Sequence, residues 1–94
     1  MDEKHNKGTF SKLAVMNHFV TLGYYVYNEM SNTGPVDFVA INPQTKQVRL
    51  VEVKTASFRK ANNTMIPRIL KPIQKDLSVE LVYYNIDTNE VKYA

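Results

Sequence analysis

The spacing of apolar positions changes several times along the chain, and each change marks an element. From Gly8 to Leu22 apolar residues recur at helical intervals: Phe10, Leu13, Ala14 and Val20, with Met16 and Phe19 on a neighbouring stripe. Thr9 offers an N-cap and Gly23 a terminating glycine, so a helix over Gly8–Leu22 is expected, buried through those six side chains. His18 within it reads as a surface or packing residue. The seven residues before Gly8 are polar and charged, and are expected to form a flexible N-terminus. Tyr24 to Met30 reads as a first strand, and Ser31 to Pro35 as a loop. Two runs rich in β-branched and aromatic residues follow, Val36–Ile41 and Val48–Thr55, joined by Asn42-Pro43-Gln44-Thr45-Lys46, a turn sequence. Ala56 to Asp76 is the least regular stretch. Pro67 and Pro72 forbid a long helix there and leave room for a short helical turn near Ile66–Leu70. Leu77–Ile86 is a long strand, Asp87–Glu90 a turn, and Val91–Tyr93 a returning edge strand.

This order predicts an α/β fold: a small mixed, mostly antiparallel sheet with the N-terminal helix packed on it, as a single domain over residues 8–94. The length of 94 residues and a hydrophobic share of 44% suit one small core, of the size that oligomerisation often supports. There is no cysteine, so neither a disulfide framework nor a thiolate metal site is available. The sequence has no run of 18 apolar residues and no signal-peptide pattern, which points to a soluble, cytoplasmic protein.

The hairpin is where chemistry enters. With its turn centred on Gln44 and Thr45, residues whose numbers sum to 89 face each other, and Asp37 lies opposite Glu52. Directly opposed Cβ atoms sit about 4.5–5.5 Å apart. Glu52 and Lys54, two residues apart, share a face. Like charges opposed across a sheet destabilise it, and a divalent cation between them reverses the sign of that interaction. Lys54 beside them would hold a water or offset charge on a phosphoryl oxygen. The bland reading is that Val-Glu-Val-Lys is an ordinary strand with one solvated face. Against it, the flanking pairs are apolar on both sides: Val39 with Leu50 and Ile41 with Val48 on the charged trio's face, Val36 with Val53 and Phe38 with Val51 on the other. A hairpin covered on both faces is therefore expected. An odd turn or a bulge would send Asp37 to the opposite side.

The net charge is only +3, but its distribution is uneven. Between Val53 and Lys75 stand Lys54, Arg59, Lys60, Arg68, Lys71 and Lys75, with no acidic residue. Such a run is either a solvated loop or a footprint for a polyanion, and its place just after Glu52 and Lys54 favours a phosphodiester substrate.

Gly34-Pro35-Val36-Asp37 followed across a hairpin by Glu52-Val53-Lys54 resembles the PD-(D/E)XK nuclease superfamily. The opening Lys7-Gly8-Thr9 and the helix end Leu22-Gly23-Tyr24 also resemble small members, Holliday-junction resolvases and compact endonucleases of the homing type. The resemblance implies that Asp37, Glu52 and the Val53 backbone carbonyl bind Mg2+, with Mn2+ able to substitute. It implies that Lys54 orients the attacking water and stabilises the pentavalent phosphate. The chain departs from the pattern in two places. Val36 intervenes between Pro35 and Asp37, and the first helix has no acidic residue from Gly8 to Gly23, with Lys12 standing about where a glutamate is expected. The latter favours one well-held ion over two and offers Lys12 to a phosphate. The weak second helix suggests a minimal version of the kind a phage or mobile element encodes.

The leading expectation is thus a metal-dependent DNA endonuclease, acting on a branched junction or a specific duplex site as a homodimer or higher homo-oligomer, since one small domain offers one active site. Lys12, Arg59, Lys60, Arg68, Lys71 and Lys75 are the nucleic-acid-binding candidates. Two alternatives stand beside it: a non-catalytic nucleic-acid-binding module, and a structural protein that merely carries these charges. The absence of cysteine and the three isolated glycines (Gly8, Gly23 and Gly34) argue against a thiol nucleophile and a phosphate-cradling nucleotide loop.

Overall fold

Five strands pair in chain order into one sheet, and one long helix lies across it. The computed structural model describes residues 3–94. The first two residues of the stretch expected to be flexible lie outside the described residues. The elements are α1 (Glu3–Thr21), β1 (Tyr25–Asn28), β2 (Phe38–Ile41), β3 (Val48–Thr55), α2 (Pro72–Asp76), β4 (Glu80–Asn85) and β5 (Glu90–Tyr93). Three pairings are antiparallel and one, β3 with β4, is parallel. The sheet is therefore mixed and mostly antiparallel, as expected. The parallel pair requires a crossover, and residues 56–79 with α2 supply it.

α1 starts at Glu3, ahead of the expected Gly8, so Thr9 lies inside the helix and is not its cap. Its buried stripe is Ser11, Val15 and Phe19, all at 0% exposure and spaced by four residues. Ala14 and Met16 flank this core, but Phe10, Leu13 and Val20, expected inside, are each more than half exposed. The expectation followed side-chain size. The fold instead selects a small polar residue, because Ser11 Oγ sits 2.6 Å from Thr55 Oγ1 on β3 and so enters the interface with its hydroxyl satisfied.

Below α1 lie Phe38, Ala40, Val51, Val53, Val82 and Tyr84. Phe19 meets Phe38 and Tyr24 edge-on, each at 5.3 Å between ring centroids. Arg49 caps this aromatic cluster, its guanidinium 4.8 Å from the Phe19 ring centre and its Nε donating to Glu80 at 2.9 Å. The hairpin register is the expected one: Phe38 opposes Val51, and Ile41 opposes Val48. A six-residue loop joins the strands. In it Asn42 Oδ1 accepts from the backbone N–H groups of Gln44 and Thr45, and Lys46 takes a left-handed conformation (φ 66°).

The opposite sheet face departs from expectation. The crossover covers it over β4, where Leu81 and Tyr83 are buried. Over β1 and β2 nothing among the described residues does so: Tyr25, Tyr27 and Val48 are more than half exposed, and Val39, Ile41 and Leu50 only half-buried. The hairpin is thus covered fully on one face and partly on the other. The short helix also falls at Pro72–Asp76 instead of Ile66–Leu70, with Pro72 at its first position, where a missing N–H costs nothing. The turn that closes it, Leu77–Ser78, takes the start of the segment expected to be strand, so β4 begins at Glu80.

Candidate active site

Asp37 stands one residue before β2, in a bend just past the last paired residues, and donates its backbone N–H to the carbonyl of Val51, the partner of Phe38, at 2.9 Å. That bond holds Asp37 at the end of the hairpin, where its carboxylate meets Glu52. Its side chain is then fixed by a second bond, in which Asp37 Oδ2 accepts from the Val53 N–H at 2.7 Å. Lys54 Nζ lies 3.4 Å from Glu52 Oε2. The three residues line one open cleft of about 650 Å3 together with Val53, Lys12, Asn28, Asn32 and the helix residues Gly8, Thr9 and Leu13. Among the described residues, no three acidic or histidine side chains gather as a metal-ligand group. The cleft therefore offers two carboxylates, and a cation held there would complete its shell with backbone, water or substrate oxygens.

The two carboxylates hold each other in tension. Burial, then the hydrogen bond and charge of Asp37, push the Glu52 carboxyl above its ordinary range, while Lys54 and a hydrogen bond from Gln74 pull it back. A proton or a cation relieves that repulsion. An acid whose folded pKa is raised binds its proton more tightly in the folded state, so stability is lost as pH rises from its unfolded value near 4.5 through the raised folded value. Glu52→Gln is therefore expected to raise the melting temperature of the metal-free protein at pH 7 and to have little effect below about pH 4. Thermal melts of both proteins from pH 3.5 to 8 check this; a variant melting lower than wild type at pH 7 would contradict it.

Gln74 is the residue that sequence reasoning missed. It is buried at 4% exposure on α2, donates from Nε2 to the Pro35 carbonyl at 2.9 Å and accepts from the Lys71 N–H at 2.8 Å. It also lies near enough to Glu52 to lower the pKa of that carboxyl. One amide thus ties the segment entering Asp37 to α2, beside Glu52. Its only sequence signal is a glutamine two positions after Pro72, and that spacing does not mark it as buried.

The basic candidates divide. Lys12 reaches the cleft and donates to Asn32 Oδ1 at 3.1 Å. Arg68 lines a second open cleft, about 520 Å3, with Lys7, Lys54, Thr55 and Ser57. This cleft shares Gly8, Val53 and Lys54 with the first, so the two form one trough. Arg59 and Lys60 lie exposed beyond it, and Lys71 and Lys75 on α2 do not line it. Glu29, the nearest acidic residue on the neighbouring strand, is held by the Ser31 N–H and hydroxyl, which lower its pKa, and does not line the cleft.

No family model matches the chain, and no curated protein matches it in sequence. Among solved structures it is similar to a bacterial homing endonuclease, I-Ssp6803I, with a TM-score of 0.79 at 13% identity, over 99% of this chain and 69% of that one. The likeness is one of fold, which in this chain is an N-terminal helix on a five-stranded mixed sheet. No helix among the described residues is long and apolar enough to cross a membrane.

Proposed function

We propose that this chain is a divalent-cation-dependent endodeoxyribonuclease of PD-(D/E)XK type, in which Asp37, Glu52 and the Val53 carbonyl hold one Mg2+ or Mn2+. The observation that carries the reading is the pairing of Asp37 with Glu52 beside Lys54 in an open cleft. The donor set fits: two hard carboxylate oxygens already in repulsion suit a cation that binds through one or two carboxylates and completes its shell with water and substrate phosphate. When bound, such a cation polarises a phosphoryl oxygen and acidifies a water. Lys54 stands beside the reacting phosphate, orients that water and offsets the charge that develops on the phosphoryl oxygens. Lys12 and Arg68 continue the basic lining to either side, along the path of a nucleic-acid backbone. The likeness to a homing endonuclease supports DNA as the substrate.

Cutting both strands takes two copies. The half-open sheet face of Tyr25, Tyr27, Val39 and Ile41, with Ile69, Ile73 and Leu77 exposed on the crossover, supports self-association. The test is cleavage of labelled four-way junction, linear duplex and single-stranded DNA in Mg2+, Mn2+ and EDTA. Metal-dependent cutting establishes the nuclease, and the preferred substrate names its class. Binding without cutting in either metal leaves a non-catalytic module.

Gln74 gives a finer prediction. Gln74→Met keeps the volume and removes every hydrogen bond, so the Mg2+ concentration for half-maximal cleavage is expected to rise about tenfold or more. A metal titration at saturating DNA reads it. An unchanged midpoint would make Gln74 a purely structural residue.

A further inference from the structure

The first part of the crossover doubles back as a short ribbon held by a single β-bridge and the backbone hydrogen bonds beside it. Phe58 pairs antiparallel with Met65; the Arg59 N–H donates to the Thr64 carbonyl at 2.8 Å, and the Ile66 N–H to the Ser57 carbonyl at 2.7 Å. Its root is seated, since Phe58 and Met65 line a small cavity with Tyr83 and Asn85, and the Arg68 N–H donates to the Tyr83 hydroxyl at 2.7 Å. Its tip, Lys60-Ala61-Asn62-Asn63, is exposed throughout. Three polar side chains are spent on stiffening it. Arg59 Nη1 donates to Thr64 Oγ1 at 3.2 Å, and Asn62 Oδ1 accepts from that hydroxyl at 2.8 Å. Asn63 closes the turn in a left-handed conformation at φ 56°.

We infer that this ribbon is the base-reading element, entering the major groove of duplex DNA with Lys60 and Asn63 at its tip. The inference rests on the proposed nuclease reading for the position of the cut. The major groove, about 12 Å wide, admits a two-stranded β-ribbon. Lysine suits the two acceptors of guanine, and asparagine the acceptor–donor pair of adenine. A ribbon with a fixed root and internally bonded legs presents those groups with little left to order on binding. Its place also fits. The ribbon follows directly on β3, and Ser57 and Arg68 at its root line the trough that leads from Lys54. Lys60 stands six positions after Lys54, a backbone span of at most about 20 Å, or about six base pairs along the duplex. Bases within that distance of the cut phosphate are the ones read.

The test is selection from a randomised duplex library by the full chain in EDTA, where binding alone is read, followed by mapping of the cut in Mg2+. Wild type is expected to enrich defined bases within about six pairs of the cut. Lys60→Ala and Asn63→Gly, the latter keeping the left-handed turn accessible, are each expected to lose about tenfold or more of the preference at one or two of those positions and to keep the others. Circular dichroism confirms that both variants are folded. Wild type without base preference overturns the inference, as do variants that weaken all sequences alike while the preferred bases stay the same, the signature of a phosphate clamp. A selective protein that never cuts sinks the nuclease reading and leaves the ribbon's role standing; a protein that cuts without selectivity does the reverse.

Discussion

Lys54→Ala is expected to slow Mg2+-dependent strand cleavage about a hundred- to ten-thousand-fold while DNA binding persists. The ammonium lies 3.4 Å from Glu52 and at the mouth of both halves of the trough, so it contributes to charge balance at the reacting phosphate and little to the fold. Its side chain is part-exposed while that of Glu52 is mostly buried, so Lys54 is the wetter member of the pair. Removing it also removes a positive charge from beside the two carboxylates, so cation affinity is expected to stay level or tighten. That combination separates Lys54 from a metal ligand: turnover falls while the metal midpoint does not rise. Single-turnover rates across a Mg2+ titration give both numbers. A rate within threefold of wild type would remove Lys54 from the chemistry.

The second large effect is on the fold beneath the site. Phe38→Ala is expected to destabilise the protein by about 3–5 kcal/mol, a large part of the 5–15 kcal/mol typical of a whole domain. Phe38 is fully buried, meets Phe19 edge-on, and is the residue next to Asp37. Losing it opens a cavity under α1 and loosens the end of the hairpin that holds Asp37 beside Glu52. Denaturant unfolding followed by circular dichroism measures the loss. A cost below 1 kcal/mol would mean that α1 and the hairpin do not share one core.

The register that assembles the site was legible in the sequence, for a physical reason. A six-residue loop between runs of alternating apolar residues allows one pairing that sets Phe38 against Val51, and Asp37 and Glu52 meet just beyond the end of that pairing. The covering of the two faces was not legible. Val39, Ile41, Val48 and Leu50 alternate like core residues, and nothing local distinguishes an apolar face that meets a helix from one left open. The helix stripe was misjudged similarly, because Ser11 becomes an interior residue only through its bond to Thr55, forty-four positions away. Gln74 was hidden for the same reason. Its partners Pro35 and Lys71, and its neighbour Glu52, come together only once the crossover has folded back over the sheet. The ribbon is a stretch of low periodicity whose order comes from its own cross-bonds and from its root beside β4 and β5.

The central claim is that Asp37 and Glu52 hold a cation that the cleavage of DNA requires. The most direct test is single-turnover cleavage of plasmid DNA by wild type and Asp37→Asn, in Mg2+ and in EDTA. Asparagine keeps an oxygen to accept the Val53 N–H, so the ladder and the fold are retained while the charge is lost. The expected result is nicking or linearisation by wild type in Mg2+ alone, with the variant at least a hundredfold slower and no less stable. Cleavage by a folded Asp37→Asn at the wild-type rate, or by wild type in EDTA, would contradict the account.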